Sequence, residues 1–153
     1  MYKKYSEMIK MSKFEELAYM IEHDAGTESL GRELFDAFAD TNWDFRCYGL
    51  LSFLISREEK AQWHYLALNL LTVGLNYCEG SYNMALIHLR RLIDFEGYTL
   101  SSLMTLVDLH LVPESVVSVD EAIWAAREAI RLDPSNSDYA KSFLQAHNNH
   151  NDD

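Results

Sequence analysis

Trp63-His64-Tyr65-Leu66-Ala67-Leu68-Asn69-Leu70-Leu71-Thr72-Val73-Gly74-Leu75-Asn76-Tyr77 decides the fold class. Trp63, Leu66, Leu70, Val73 and Tyr77 recur at steps of three and four, which sets them as one apolar stripe along a helix. Leu68, Leu71 and Leu75 form a second stripe. A helix apolar on two sides needs neighbours on two sides, so the spacing predicts a central, buried helix in an all-α protein.

Ser56, with Glu59 three residues on, reads as the capping box that starts this helix, and the segment Cys78 to Gly80 as its end. A second helix begins at Ser81. It is expected to turn Tyr82, Ala85, Leu89, Leu92 and Ile93 inward and to leave His88, Arg90, Arg91 and Asp94 outside. Helices joined by so short a turn are expected to lie antiparallel.

This hairpin carries a repeat pattern, Leu70-x2-Val73-Gly74-x2-Tyr77 followed by Ala85-x3-Leu89. A second copy reads Leu103-x2-Leu106-Val107-x2-His110, then Asp120-Glu121-Ala122-Ile123, Ala129 and Leu132-Asp133-Pro134-Ser135-Asn136. The extra length in its turn falls at Leu111 to Ser118, where Pro113 interrupts a helix, and Ser118 with Glu121 reads as the capping box that starts the next helix. On these residues the chain resembles the tetratricopeptide-like repeat superfamily, whose signature places small residues where two helices approach closely. The departures are Leu70 where the signature has Trp, a shortened first turn, and Gly97 where it has Pro.

The resemblance implies a right-handed superhelix of antiparallel helix hairpins with about seven to eight helices, in one domain over residues 1–147. Within it, 57–97 and 99–136 are the repeats, 136–147 a capping helix and 148–153 a solvated tail. Ahead of them, Tyr5, Met8, Ile9, Phe14, Leu17, Ala18 and Ile21 have helical spacing, with Ser12 and Glu15 able to split the segment in two. Asp24-Ala25-Gly26 closes it. A helix from Thr27 buries Leu30, Leu34, Phe35 and Phe38, and Asp40-Thr41-Asn42 makes a turn into an apolar helix from about Trp43 to Ile55. Whether residues 27–56 are a third repeat stays open. The last helix is expected to bury Tyr139, Ala140, Phe143 and Leu144 and to expose Asp138, Lys141 and Gln145.

The chain has 153 residues, 48% of them hydrophobic, and a net charge of −11. That charge opposes unaided binding to nucleic acid or an anionic membrane and favours a basic protein partner. There is no apolar run of transmembrane length and no signal-peptide pattern at Met1-Tyr2-Lys3-Lys4, so a cytoplasmic protein is expected. Cys47 and Cys78 lack paired spacing and read as small buried residues. Trp43, Trp63 and Trp124 read as packing residues, Trp124 the least buried of them. The familiar catalytic motifs do not occur, so no catalytic residue, metal site or cofactor is assigned. His147 and His150 sit at metal-ligand spacing without further ligands, and the carboxylates Glu15-Glu16, Glu58-Glu59 and Glu114 with Asp120-Glu121 fall at helix starts or in a loop, where helix dipoles already favour negative charge.

The resemblance further implies a groove lined by the first helix of each repeat: Leu68, Leu71 and Leu75, then Ser101, Met104 and Asp108, with Glu28 and Arg32 if the third repeat holds. An apolar groove of this kind takes an amphipathic helix of a partner or the chain's own last helix. The expected function is a non-catalytic protein-interaction module, an acidic adaptor or an inhibitor of the immunity-protein kind binding a basic partner. A structural homo-oligomer or assembly subunit is the alternative, and an enzyme using His88 or His110 is a third possibility.

Overall fold

The computed structural model describes residues 2–23 and 30–148, and among them it is all-helical, with nine α-helices and no strand. The helices are α1 (Tyr2–Lys10), α2 (Phe14–His23), α3 (Leu30–Asp40), α4 (Arg46–Arg57), α5 (Ala61–Asn69), α6 (Ser81–Glu96), α7 (Leu100–Leu111), α8 (Val119–Leu132) and α9 (Asp138–Asn148). The chain forms two compact units, Met1–His88 and Leu89–Asp153, with the boundary inside α6. None of the described helices is long and apolar enough to cross a membrane. The stop at Asp24-Ala25-Gly26, the start at Thr27, Glu28 and the tail beyond Asn148 lie outside the described residues.

In the first unit α1 packs on α3, α2 and α4, and α4 packs on α5. Tyr5, Ile9, Leu17, Leu34, Phe38, Leu50, Leu51, Leu70 and Leu75 are its fully buried core. The break between α1 and α2 falls at Ser12, whose φ of 54° takes the chain out of the helix. One more helix than the upper expectation results from this split.

Two expectations for the central helix fail. Ser56 does not start it, because α4 runs on through Arg57 and the Ser56 hydroxyl donates back to the Phe53 carbonyl (2.7 Å). The helix instead begins after Lys60. It also closes sooner. Leu70–Gly74 is a π-helical turn in which Leu75 N–H donates to the Leu70 carbonyl (2.8 Å), one residue farther back than in an α-helix. The added residue rotates the stripe. Leu70, Leu71 and Leu75 stay buried, while Val73 and Tyr77 turn to solvent.

Gly74 has a packing reason of its own. The Trp43 indole lies against it so closely that a Cβ there would sit 2.6 Å from Cδ2 and 3.0 Å from Cγ. Trp43 and the preceding Asn42 both adopt the left-handed region, φ 56° and 58°, which is strained for a bulky residue. Packing of the half-buried ring against Gly74 and Phe35, whose ring centroid is 5.1 Å away, offsets that strain.

The second unit is built on α7 against α8, with α9 on α8. Ala122, Ala125, Ala126 and Ala129 give α8 a fully buried small-residue face. Leu103, Leu106, Val107 and Leu109 of α7 are buried in the same unit. Ser118 caps α8 by accepting from Glu121 N–H (3.3 Å), the first half of the expected box, while the Glu121 carboxylate takes Arg90 instead, and Thr99 caps α7 in a reciprocal box with Ser102. Ser118→Ala is expected to lower stability by about 1 kcal/mol. Urea unfolding of the variant checks it.

Candidate functional site

The residues expected to line a groove divide between the two units. Leu68, Leu71 and Leu75 are 7%, 2% and 0% exposed, so they are core of the first unit and not an open surface. The π-helical turn is the physical reason, since it draws Leu70, Leu71 and Leu75 together onto the inner side. Arg32 is exposed on α3. In the second unit Ser101 and Asp108 are exposed on α7 and Met104 is half-buried. Tyr139, expected inside, is exposed, and its hydroxyl donates to Asp108 Oδ1 (2.8 Å), which ties α9 to α7. Burial and that carboxylate push the Tyr139 phenol up to about 12.

His88, expected outside, is 6% exposed and belongs to a buried polar chain in the first unit. Its Nδ1 lies 2.8 Å from Nδ1 of His64, itself 4% exposed. His64 Nε2 meets Glu59 Oε1 at 3.0 Å, and His88 Nε2 meets the Tyr48 hydroxyl at 3.0 Å. A carboxylate can only accept, which places the His64 proton on Nε2 and leaves its Nδ1 as an acceptor. His88 then donates from Nδ1, and Tyr48 donates to His88 Nε2. Every bond in the chain points toward Glu59.

This arrangement has the outline of a nucleophile activated by a base, and the direction of both pKa shifts opposes that use. Burial, with His64 beside it, lowers His88 to about 4, and burial raises the Tyr48 phenol above its ordinary 10. Both shifts work against moving the phenolic proton onto His88. The chain of bonds satisfies the buried His64 and His88 and the half-buried Tyr48, ends on the exposed Glu59, and holds α4, α5 and α6 to one another.

An open cleft of about 630 Å³ runs between α1 and α2, lined by Met8, Met11, Tyr19 and Met20 with Lys4, Glu7, Lys13, Glu15 and Glu16 around it. Met11 and Tyr19 are exposed and Met8 is buried, so the cleft has an apolar floor and apolar walls. Lys13 pairs with Glu16 (3.3 Å), and Lys4, Glu7 and Glu15 add further charge to the lining. The spacing rules missed this cleft, although methionines at 8, 11 and 20 within thirteen residues were a usable signal. Thioethers on flexible chains adapt to irregular apolar partners.

The remaining candidates are accounted for by packing. Cys47 is fully buried beside the Thr41 hydroxyl (3.1 Å), and burial pushes its thiol up to about 11, which makes it a poor nucleophile near neutral pH. Cys78 is half-buried. His110 donates from Nδ1 to the Val117 carbonyl (2.9 Å), and His147 to that of Phe143 (2.9 Å). His150 lies outside the described residues. Among the described residues no group of three or more His, Cys, Asp or Glu side chains is placed to hold a metal ion.

Compared with family models, with curated proteins and with solved structures, the chain matches none.

Proposed function

We propose that the chain is a non-catalytic protein-interaction module, and that the α1–α2 cleft takes the apolar face of an amphipathic helix carried by a basic partner. The observation that carries this is the methionine-lined cleft on a chain of net charge −11. Its volume is ample for two or three side chains of such a helix, and its lining is of the kind that receives one. Charge supplies the second half of the argument. At least nine of the thirteen Lys and Arg side chains are already paired with carboxylates of the chain itself, so the acidic surplus is what faces an approaching partner.

A tetratricopeptide-like superhelix is part of this proposal. The capped α8, its alanine face against α7 and the addition of α9 support it. An adaptor or an immunity-type inhibitor is the role such a module would fill. Pairing of two copies through Leu68, Leu71 and Leu75 loses its support with those residues in the core.

Affinity capture from the host lysate, run at low and high salt with the chain and with a Met11→Glu, Tyr19→Glu double variant, tests the proposal. A basic protein held by the unaltered chain at low salt, released at high salt and lost from the variant is the expected result. Equal capture by the variant would remove the cleft from the account.

A further inference from the structure

In the second unit the rings of Tyr98 and Trp124 meet edge to face, centroids 4.9 Å apart and planes at 73°, and both remain open to solvent at 49% and 41% exposure. Two large aromatic side chains half in water are a poor use of apolar area unless something covers them, and Trp, Tyr and Arg are the side chains that dominate interface energetics. Arg90 lies beside the pair, bonded to Glu121 (2.7 Å) one turn before Trp124. That bridge occupies Glu121. Asp120, four residues before Trp124 on α8, is exposed, and among the described residues it has no ion pair.

Residues four apart on a helix are neighbours, and helical side chains lean toward the N-terminus, so Trp124 and Asp120 share one side of α8. An aromatic face beside a carboxylate is a site for a cation. The chain already seats its own guanidinium groups on rings: Arg57 lies 5.8 Å from the centroid of Phe53, and Arg91 5.8 Å from that of Phe95. Trp124 is the better ring for this contact, yet among the described residues no cation lies over it.

We infer that Trp124, Tyr98 and Asp120 form a docking point for one arginine side chain of a protein partner, the guanidinium stacking on the indole while it bonds the Asp120 carboxylate. A planar guanidinium satisfies both requirements at once, whereas an ammonium is a point charge that does not stack. The acidic surplus of the chain favours arrival of such a group. The site lies in the second unit and stands or falls independently of the α1–α2 cleft.

The test uses the full chain labelled with 15N, whose three indole N–H signals report Trp43, Trp63 and Trp124 separately. N-acetylarginine amide is titrated in, and N-acetylcitrulline amide serves as the neutral isostere. The expected result is a saturable shift of the Trp124 signal with arginine only, weakened roughly threefold by Asp120→Asn. Asp120 is exposed, so this variant keeps the fold. A Trp124 signal that stays put, that responds equally to citrulline, or that is indifferent to Asp120→Asn overturns the inference.

Discussion

Between pH 7 and pH 5 the chain is expected to lose about 2 kcal/mol of stability through one side chain, His88. The histidine is held at about 4 in the fold, chiefly by burial, against an ordinary 6.5. In this interval the unfolded chain binds a proton that the folded chain refuses, so unfolding is favoured as pH falls. The contribution is complete above pH 6.5, declines through the interval and is exhausted near pH 4, with a total of roughly 3 kcal/mol. The hydrogen bonds give the refusal a structural cause. His88 Nε2 is occupied by the Tyr48 hydroxyl and Nδ1–H is committed to His64, so a second proton on His88 must turn the Tyr48 hydroxyl away. Urea midpoints measured from pH 7.5 to 4, with His88→Gln alongside, check this. The variant is expected to be less stable at neutral pH and to show a flatter profile. An unchanged slope would assign the acid sensitivity elsewhere.

Gly74→Ala is expected to destabilise the first unit by about 2 kcal/mol, against the sign that helix propensity alone would give. Alanine is favoured over glycine within a helix by roughly 1 kcal/mol. Here the new methyl would lie within 3.0 Å of the ring carbons Cδ2 and Cγ of Trp43, with Cε3 nearest. The indole cannot swing aside cheaply, because Phe35 packs on it and its own backbone is fixed in the left-handed region. A double-mutant cycle separates the two effects. In a Trp43→Leu background the same glycine substitution is expected to become neutral or stabilising, and thermal unfolding of the four proteins reads the coupling. If Gly74→Ala stabilises the unaltered chain, the ring does not press on Gly74 as described.

The helices were legible where local chemistry fixes them. Ser118 with Glu121, the apolar rows of α7 and the alanine face of α8 follow from capping and periodicity, which act within a few residues. The misplacements share a different cause. Ser81, Ala85, His88 and Leu92 lie on one buried face of α6, yet a periodicity that scores imidazole as polar turns His88 outward. An imidazole is buried when both ring nitrogens find partners, and those of His88 stand 40 and 24 residues away in sequence. The π-helical turn at Leu70–Gly74, against which Trp43 packs from a distant turn, adds a residue to the helix, so a straight-helix count carried Val73 and Tyr77 to the wrong side. The leucines assigned to a groove failed with it. The α1–α2 cleft escaped notice because Met8 reads as core stripe, and only the packing of two short helices brings it together with Met11 and Met20 at one opening.

Methionine supplies the most direct test of where a partner binds. With 13C-methyl methionine in the full chain, Met8, Met11 and Met20 report the α1–α2 cleft, Met84 reports α6, and Met104 reports the face of α7 on which a tetratricopeptide-like groove was expected. Titration with the protein retained in the capture experiment is predicted to shift Met8, Met11 and Met20 and to leave Met84 and Met104 in place. Shifts at Met104 or Met84 with the three cleft methionines unmoved would contradict the account and move the binding surface off α1 and α2.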